Sequence, residues 1–224
     1  MGAPSGGVNN HGDYAWYENC VFEFTRDDSF HAGGDASENR QQTVLRNSTF
    51  RGTFRNTIWM HDDRCWIEGN QLFHCGITGI NLSGSGLGGN YKTIDVGVIR
   101  NNLIADANKT SFQTYGDAAH INRQLRIEGN VVRNNRMDQA FLLRYVADSL
   151  FANNRVEATA KGWRVYSTPE LQLGIVFDHC TNMSGEGNTI SDQRLDKPSW
   201  LKVTDSCSEV KVSVAPPKSE KSEN

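Results

Sequence analysis

Histidine and aspartate side chains recur at matching places in a series of short alternating segments along the chain. His31 and His120 each follow an aspartate by three residues, Asp28 and Asp117 respectively, where such a segment begins. His61 lies at the end of another segment. Carboxyl and imidazole groups supply general acids and bases near neutral pH. We therefore predict proton-transfer chemistry, and the candidate catalytic residues are Asp28, His31, His61, Asp117 and His120.

Aromatic, amide and guanidinium side chains on the same segments are suited to holding a sugar polymer. A tryptophan can stack on sugar rings, amides can bind hydroxyl groups, and an arginine can hold a carboxylate through two hydrogen bonds. A long glycine-rich insertion follows the third segment and contributes a tyrosine. The candidate substrate contacts are Trp59, Asn81, Asn122, Arg144 and Tyr91.

Several chemistries fit these residues. Inverting hydrolysis needs one protonated and one ionised carboxyl group roughly 6.5–9.5 Å apart. A histidine or Arg144 could instead take the proton next to a uronate carboxylate and start a β-elimination, and an epimerase would share that step. Each aspartate also fits a plain turn before a strand. A protein that binds glycans without catalysis is therefore a further interpretation.

Metal and cysteine chemistry have less support in the sequence. Asp35, Asp62 and Asp63 share one predicted corner, where calcium could bind, although solvated acids explain them more simply. The five cysteines contain no close Cys-x-x-Cys pair, which argues against zinc, and we predict no cofactor. Cys65 and Cys75 fall in one repeat and could form a disulfide only if the turn between them allows it.

A repeat positions these segments, and its best copy is Trp66–Phe73, which reads Trp-Ile-Glu-Gly-Asn-Gln-Leu-Phe. Versions of this phrase return at intervals of 22 to 34 residues, a period typical of a solenoid, propeller or array. Two early copies have a cysteine or a serine, Cys20 and Ser48, in place of the asparagine. We expect Cys20 to be a small buried side chain. The reference positions are Cys20, Ser48, Asn70, Asn102, Asn130, Asn154 and Asn188.

An alternating run follows most copies of the phrase and predicts a strand with one buried face. The predicted inward pairs are Phe30/Ala32, Ile58/Met60, Ile80/Leu82, Ala119/Ile121, Phe141/Leu143 and Ile175/Phe177. An inward asparagine at one fixed turn can bond the backbone of its own turn and the asparagine of the next coil. We therefore predict an all-β fold, a parallel β-helix of about seven coils.

The stacked strands would place the candidate residues in two outward columns, because coils lie about 4.8 Å apart. The first column is predicted to contain His31, Trp59, Asn81, His120, Leu142 and Val176. The second is predicted to contain Gly33, His61, Ser83, Asn122, Arg144 and Asp178. His31 and His61 would lie about 8 Å apart, a separation that would straddle a sugar.

The asparagine phrase, followed after a gap by the Gly-Ile-x-Leu of Gly79–Leu82, resembles the right-handed parallel β-helix repeat of the pectin-lyase-like superfamily. The resemblance covers roughly residues 14–203. It implies activity on polysaccharides, as lyase, glycoside hydrolase, uronate epimerase or esterase, with tailspikes and adhesins as non-enzymatic members. Asp27–Asp28 resembles the Asp-Asp motif of polygalacturonase-like hydrolases, and this resemblance implies that the two carboxylates supply the acid and the base of hydrolysis. However, the place of their Gly-His-Gly turn reads Thr53–Thr57 here, without histidine.

Composition limits the partners that we expect. A net charge of −3 and a pI near 6.1 argue against a general nucleic-acid or anionic-membrane binder. No stretch approaches the roughly 18 apolar residues of a membrane span. We divide the chain into a flexible lead or truncation point (1–13), the β-helix (14–214) and a disordered tail (215–224). The expected partners are a polysaccharide or oligosaccharide, and further β-helix coils or a self-associating end.

The leading hypothesis is a carbohydrate-active enzyme, a glycoside hydrolase or polysaccharide lyase, with its groove on one sheet face. The alternative is a non-catalytic glycan-binding or structural β-helix, or a piece of a larger solenoid. The residues leave open which sugar and linkage are bound. Secretion or a cell-surface location is expected from the superfamily resemblance alone.

Overall fold

The structure, a computed structural model, describes residues 6–10, 14–33, 42–83, 93–136, 138–158, 174–196 and 199–216. These ranges contain twenty-three β-strands in chain order, β1 to β23. Within the described residues, no helix has the length and apolar character needed to cross a membrane. All the strands that pair along the sheets run parallel to one another.

Three parallel sheets wrap around one core. The first sheet, which we call the site sheet, contains β1 (Val8–Asn10), β4 (Phe30–Ala32), β7 (Asn56–Met60), β10 (Thr78–Ser83), β13 (Phe112–Tyr115), β17 (Phe141–Arg144), β20 (Ile175–Asp178) and β22 (Leu201–Val203). The second contains β2 (Tyr14–Glu18), β5 (Gln42–Arg46), β8 (Arg64–Glu68), β11 (Val96–Arg100), β15 (Leu125–Glu128), β18 (Val146–Ala152) and β21 (Thr181–Asp192). The third contains β3 (Val21–Glu23), β6 (Thr49–Thr53), β9 (Gln71–Cys75), β12 (Leu103–Ala105), β16 (Val131–Arg133) and β19 (Arg155–Ala158).

Each of the first six coils therefore contributes one strand to each sheet, and the predicted parallel β-helix is confirmed. The long strand β21 joins the second and third sheets, because it pairs with both β18 and β19. Two strands lie outside this pattern: β14 (Asn122–Arg123) pairs with β18, and β23 (Ser208–Ala215) pairs with β21. Strand β1 lies inside the segment that the sequence assigned to a lead, and it pairs with β4. Most of the predicted tail, 217–224, lies outside the described residues.

The core consists of side chains that alternate inward along the strands. Inward pairs were predicted for six strands of the site sheet, and five of these pairs are fully buried: Phe30/Ala32, Ile58/Met60, Ile80/Leu82, Phe141/Leu143 and Ile175/Phe177. The sixth pair, Ala119/Ile121, was wrong. The strand of that coil is β13, and its two fully buried residues are Phe112 and Thr114. The Phe112 ring packs against Phe141 in the next coil at 5.7 Å between centroids, so the larger apolar residue determines the register.

A ladder of asparagine side chains runs along one turn of the coils, as predicted. Asn70 donates from its backbone N–H and from Nδ2 to Oδ1 of Asn102, each at 3.0 Å. Its Nδ2 also donates to the Leu45 carbonyl of the preceding coil at 2.9 Å. Asn102, Asn130 and Asn154 repeat this arrangement. The ladder satisfies buried polar groups that the bend would otherwise leave without partners.

The residue before each ladder position adopts a positive φ angle, which glycine and asparagine tolerate better than other residues. These residues are Asn19, Asn47, Gly69, Asn101, Gly129, Asn153 and Gly187. The repeated Gly-Asn and Asn-Asn pairs of the sequence are thus required by the turn. All five cysteines are free, and Cys65 and Cys75 are buried without a disulfide. Cys20 is only partly buried, and its backbone N–H donates to Ser48 Oγ in the ladder.

Candidate functional site

The site is centred on adjacent strands β4 and β7, whose parallel register places His31 directly beside Trp59. The two rings stack with 4.5 Å between centroids and an angle of 10° between planes. This separation matches the spacing of neighbouring strands, so the rings lie face to face and present their edges outward. Because His31 covers one face of the indole, a sugar could stack only on the other face of Trp59.

His31 is also hydrogen-bonded to His61, with 2.7 Å between the two Nε2 atoms. His61 follows β7 and is only 2% exposed, whereas His31 is partly exposed. In this bond one Nε2 donates and the other accepts, so the pair can hold a shared proton. The predicted separation of about 8 Å was wrong, because it followed the backbone positions and not the direction of the side chains.

Gly33 makes room for the buried imidazole. Its φ angle is +133°, and a Cβ atom built on it would lie 2.3 Å from Nδ1 of His61. Only glycine combines this backbone conformation with the absence of a side chain. The ring of His61 therefore lies over Gly33. The segment Phe30–Gly33 thus contains one histidine of the pair, His31, and leaves the space that the other, His61, occupies.

Asp28 and Asp27 differ sharply in their surroundings. Asp28 is 6% exposed, and its Oδ1 accepts hydrogen bonds from the backbone N–H and Nδ2 of Asn56, at 2.9 and 3.0 Å. Burial raises the pKa of Asp28 above its ordinary value. Asp27 is paired with Arg55 at 2.6 Å. A cleft of about 360 Å³ brings these groups together with the ring pair, and it is lined by Gly6, Gly7, Val8, Asn9, Asp27, Asp28, His31, Arg55 and Trp59.

The predicted positions of His120 and Asn122 in the outward columns were wrong. Because β13 ends at Tyr115, Gln113 takes the place beside Asn81, and Tyr115 the place beside Ser83. Asp117 and His120 lie in the following turn, which is closed by a bridge between them. Asn122 is buried in β14, where its Oδ1 accepts from Ile94 N–H and its Nδ2 donates to the Tyr115 carbonyl. Asn122 therefore holds the backbone in place.

The remaining predicted contacts are distributed along the site sheet. Asn81 follows Trp59 in the same column and is 7% exposed. Arg144 lies further along and is paired with Asp178, with Nε 3.2 Å from Oδ2. Tyr91 and Asp35 lie outside the described residues. Asp62 is buried, and no cluster of three metal-ligating side chains is found in the part of the chain that the structure describes.

The sequence reasoning missed one cation of the cleft, Arg55. It lies 28 residues after Asp27, the same interval that separates Asn56 from Asp28, and both pairs make contacts across adjacent coils. The repeat interval could therefore have revealed that Arg55 stands beside Asp27. Tyr115 and Gln113 were missed because the strand of that coil was placed too late in the sequence.

Comparison with known proteins bears on the fold. The sequence model described as "right handed beta helix region" matches residues 6–213. The chain belongs to this right-handed β-helix family. No curated protein sequence matches it.

Two solved structures are similar to the β-helix. A double mutant of the periplasmic alginate epimerase AlgG is 14% identical, with a TM-score of 0.42, over 91% of this chain and 48% of its own. The chain thus spans about half the length of AlgG. Trypsin-treated QnrB1, a plasmid-mediated fluoroquinolone resistance protein, is 13% identical, with a TM-score of 0.22, over 90% of this chain and 91% of its own. Neither similarity bears on the chemistry of the cleft.

Proposed function

We propose that this β-helix is a polysaccharide lyase, which cleaves a uronate-containing polysaccharide by β-elimination in the cleft of the site sheet. The observation that carries the proposal is the 2.7 Å bond between His31 and His61 beside Asp28 and Arg55. It supplies a base, a proton donor for the leaving oxygen and a cation in one place. Each is needed when a proton is removed next to a carboxylate.

The proposed reaction begins at His31. His31 donates its Nε2–H to His61 and takes the proton from the carbon next to the uronate carboxylate. The imidazolium that forms strengthens its bond to His61, because a charged donor makes a stronger hydrogen bond than a neutral one. Burial of His61 shields this bond from water.

The electrons of the broken C–H bond form a carbon–carbon double bond and expel the glycosidic oxygen. Asp28 gives its proton to this leaving oxygen. The raised pKa of Asp28 favours the protonated acid that this step needs. Arg55 lies in the same cleft and would stabilise the negative charge that develops on the substrate carboxylate.

A second candidate is inverting hydrolysis, which one observation favours. Asp27 and Asp28 line the same cleft, so Asp28 could act as the acid while Asp27 activates water. The bond from Arg55 to Asp27 opposes this assignment, because a carboxylate held by a guanidinium is a weaker base.

The test is incubation with uronate-containing and neutral polysaccharides, followed by ultraviolet absorbance of the new double bond and by release of reducing ends. We expect absorbance with uronate polymers, and a fall of at least about a hundredfold in His31→Ala. His74→Ala is the matched control, because His74 is exposed on the third sheet. Reducing ends without absorbance would favour hydrolysis. Binding without either signal from folded protein would identify a non-catalytic glycan-binding module.

A further inference from the structure

A second polar cluster lies on the site sheet, away from the cleft. We call Tyr115, Asp117, His120 and Arg144 the distal cluster. Arg144 ends β17, and its guanidinium carbon lies 6.0 Å from the centre of the Tyr115 ring. The Arg144 side chain is 41% exposed, and Tyr115 is 36% exposed, so both can be reached from solvent.

The pairing of Arg144 with Asp178 leaves the guanidinium able to bind another anion. Asp178 Oδ1 also accepts hydrogen bonds from His179, Thr204 and Ser206. The carboxylate therefore keeps three donors even without the arginine. Arg144 in turn has five N–H donors, and its Nε lies 3.2 Å from Asp178 Oδ2 without a hydrogen bond to any residue that the structure describes. The planar end of the side chain remains suited to a second, bidentate carboxylate.

His120 is oriented by its aspartate. Its Nδ1 lies 2.8 Å from Asp117 Oδ1, which also accepts the backbone N–H groups of Ala119 and His120. The hydrogen bond from His120 is the main cause of a lowered pKa of Asp117, so the carboxylate is ionised and Nδ1 is the donor. Nε2 is then the imidazole atom available to a ligand. The turn packs closely on the next coil, because a Cβ on Gly116 would lie 2.7 Å from that of Tyr145.

The cleft and the distal cluster lie on different strands of the site sheet, so the distance between them is a multiple of the strand spacing. The cleft is built on β4 and β7 and the distal cluster on β13 and β17, and β10 lies between them with Asn81 in the outward column. The spacing of neighbouring strands puts the sites about 10–19 Å apart. A sugar of an extended 1,4-linked chain is about as long as one such spacing.

We propose that the distal cluster is a second binding site for the same anionic polysaccharide chain, in which Arg144 holds a uronate carboxylate, Tyr115 contacts a sugar ring and His120 binds a hydroxyl. A chain of about four or five sugars would reach from the cleft to Arg144. This inference rests on the proposed function, because it needs a uronate polymer bound in the cleft.

The test measures KM and kcat for uronate oligosaccharides from two to six sugars. We expect KM to fall about tenfold once the chain reaches four or five sugars, as the extra charged contact is made. Arg144→Gln should remove that gain, so that its KM no longer falls between oligosaccharides of three and five sugars. Arg133→Gln is the matched control, because Arg133 makes the same kind of cross-coil ion pair, with Glu157 at 3.0 Å, on the third sheet. It should change neither value.

The outcomes separate the two proposals. If the wild type cleaves every oligosaccharide with one KM, or if the gain survives in Arg144→Gln, the distal site is refuted while the lyase assignment stands. If the wild type neither cleaves nor binds any uronate oligosaccharide, the lyase assignment fails and the distal site fails with it. Circular dichroism of Arg144→Gln checks that the fold persists, as the three remaining donors to Asp178 predict.

Discussion

The asparagine ladder should make a large contribution to stability, and Asn102→Ala tests it at the centre of the ladder. The substitution removes four hydrogen bonds: two that Asn102 Oδ1 accepts from Asn70, and two that Nδ2 donates to Ile67 and Asn130. Each buried partner left unsatisfied costs about 1–3 kcal/mol. We expect a loss of about 3–5 kcal/mol in the free energy of unfolding, out of a total of roughly 5–15 kcal/mol.

Asn102→Ser should lose only about half as much. Ser48 already occupies a ladder position, where its Oγ accepts from Cys20 N–H at 3.1 Å and donates to the Arg46 carbonyl at 2.9 Å. A serine at position 102 can therefore still accept the backbone N–H of Asn70, and its hydroxyl can donate to the carbonyl two residues before it. Asn108→Ala, at an exposed asparagine, is the control and should change stability by no more than about 0.5 kcal/mol.

Urea unfolding measures these differences, and hydrogen exchange locates them. The Asn70 amide should exchange faster in Asn102→Ala, because its only acceptor in the ladder has been removed. This local measurement does not depend on two-state unfolding, which repeat proteins can violate. If Asn102→Ala were as mild as Asn108→Ala, with the Asn70 amide still protected, the ladder would not be a major source of stability.

Three further predictions concern the cleft and the thiols. Asp28→Asn should be as stable as the wild type below about pH 4 and more stable at neutral pH, because the wild type loses stability as its buried carboxyl ionises. The difference should be about 1.4 kcal/mol for each unit by which burial raises the Asp28 pKa. Thermal melts of both proteins across the pH range would show it, and superimposable curves would contradict it. Gly33→Ala should displace His61 and lower turnover more than His74→Ala does, since its Cβ would overlap the imidazole; unchanged turnover would remove the histidine pair from the mechanism. A thiol reagent should react with two cysteines of the native protein and with all five after unfolding, because three are buried. Burial also raises the pKa of Cys75 and Cys180 to about 12, which slows their reaction. Five fast reactions in the native protein would contradict the burial of these three cysteines.

Repetition made the fold predictable from the sequence. Because the asparagine phrase recurs many times, the register of the repeat can still be recognised in the copies where Ser48 or Cys20 replaces the asparagine. The inward pairs of five strands follow from the same repetition. A local pattern could not decide the remaining strand, because residues 112–115 and 118–122 both alternate. Packing of Phe112 on Phe141 decides between them, and that contact joins residues far apart in the sequence.

The site was predictable in part for a related reason. The stacking of His31 beside Trp59 follows from the strand register, which repetition determines. The bond between His31 and His61 depends on side-chain direction and on the empty space above Gly33, and neither is encoded in spacing. Arg55 went unnoticed because it lies before its strand, outside the columns that alternation defines.

The most direct test of the proposed elimination is cleavage of a uronate polysaccharide in water enriched in heavy oxygen, with mass spectrometry of the products. A control with preformed products corrects for exchange at reducing ends. Elimination predicts fragments that carry an unsaturated sugar and no oxygen from the solvent beyond that control, and predicts that His31→Ala forms none. Heavy oxygen at the new reducing ends beyond that control, without unsaturated sugars, would contradict the lyase mechanism and assign the cleft to hydrolysis.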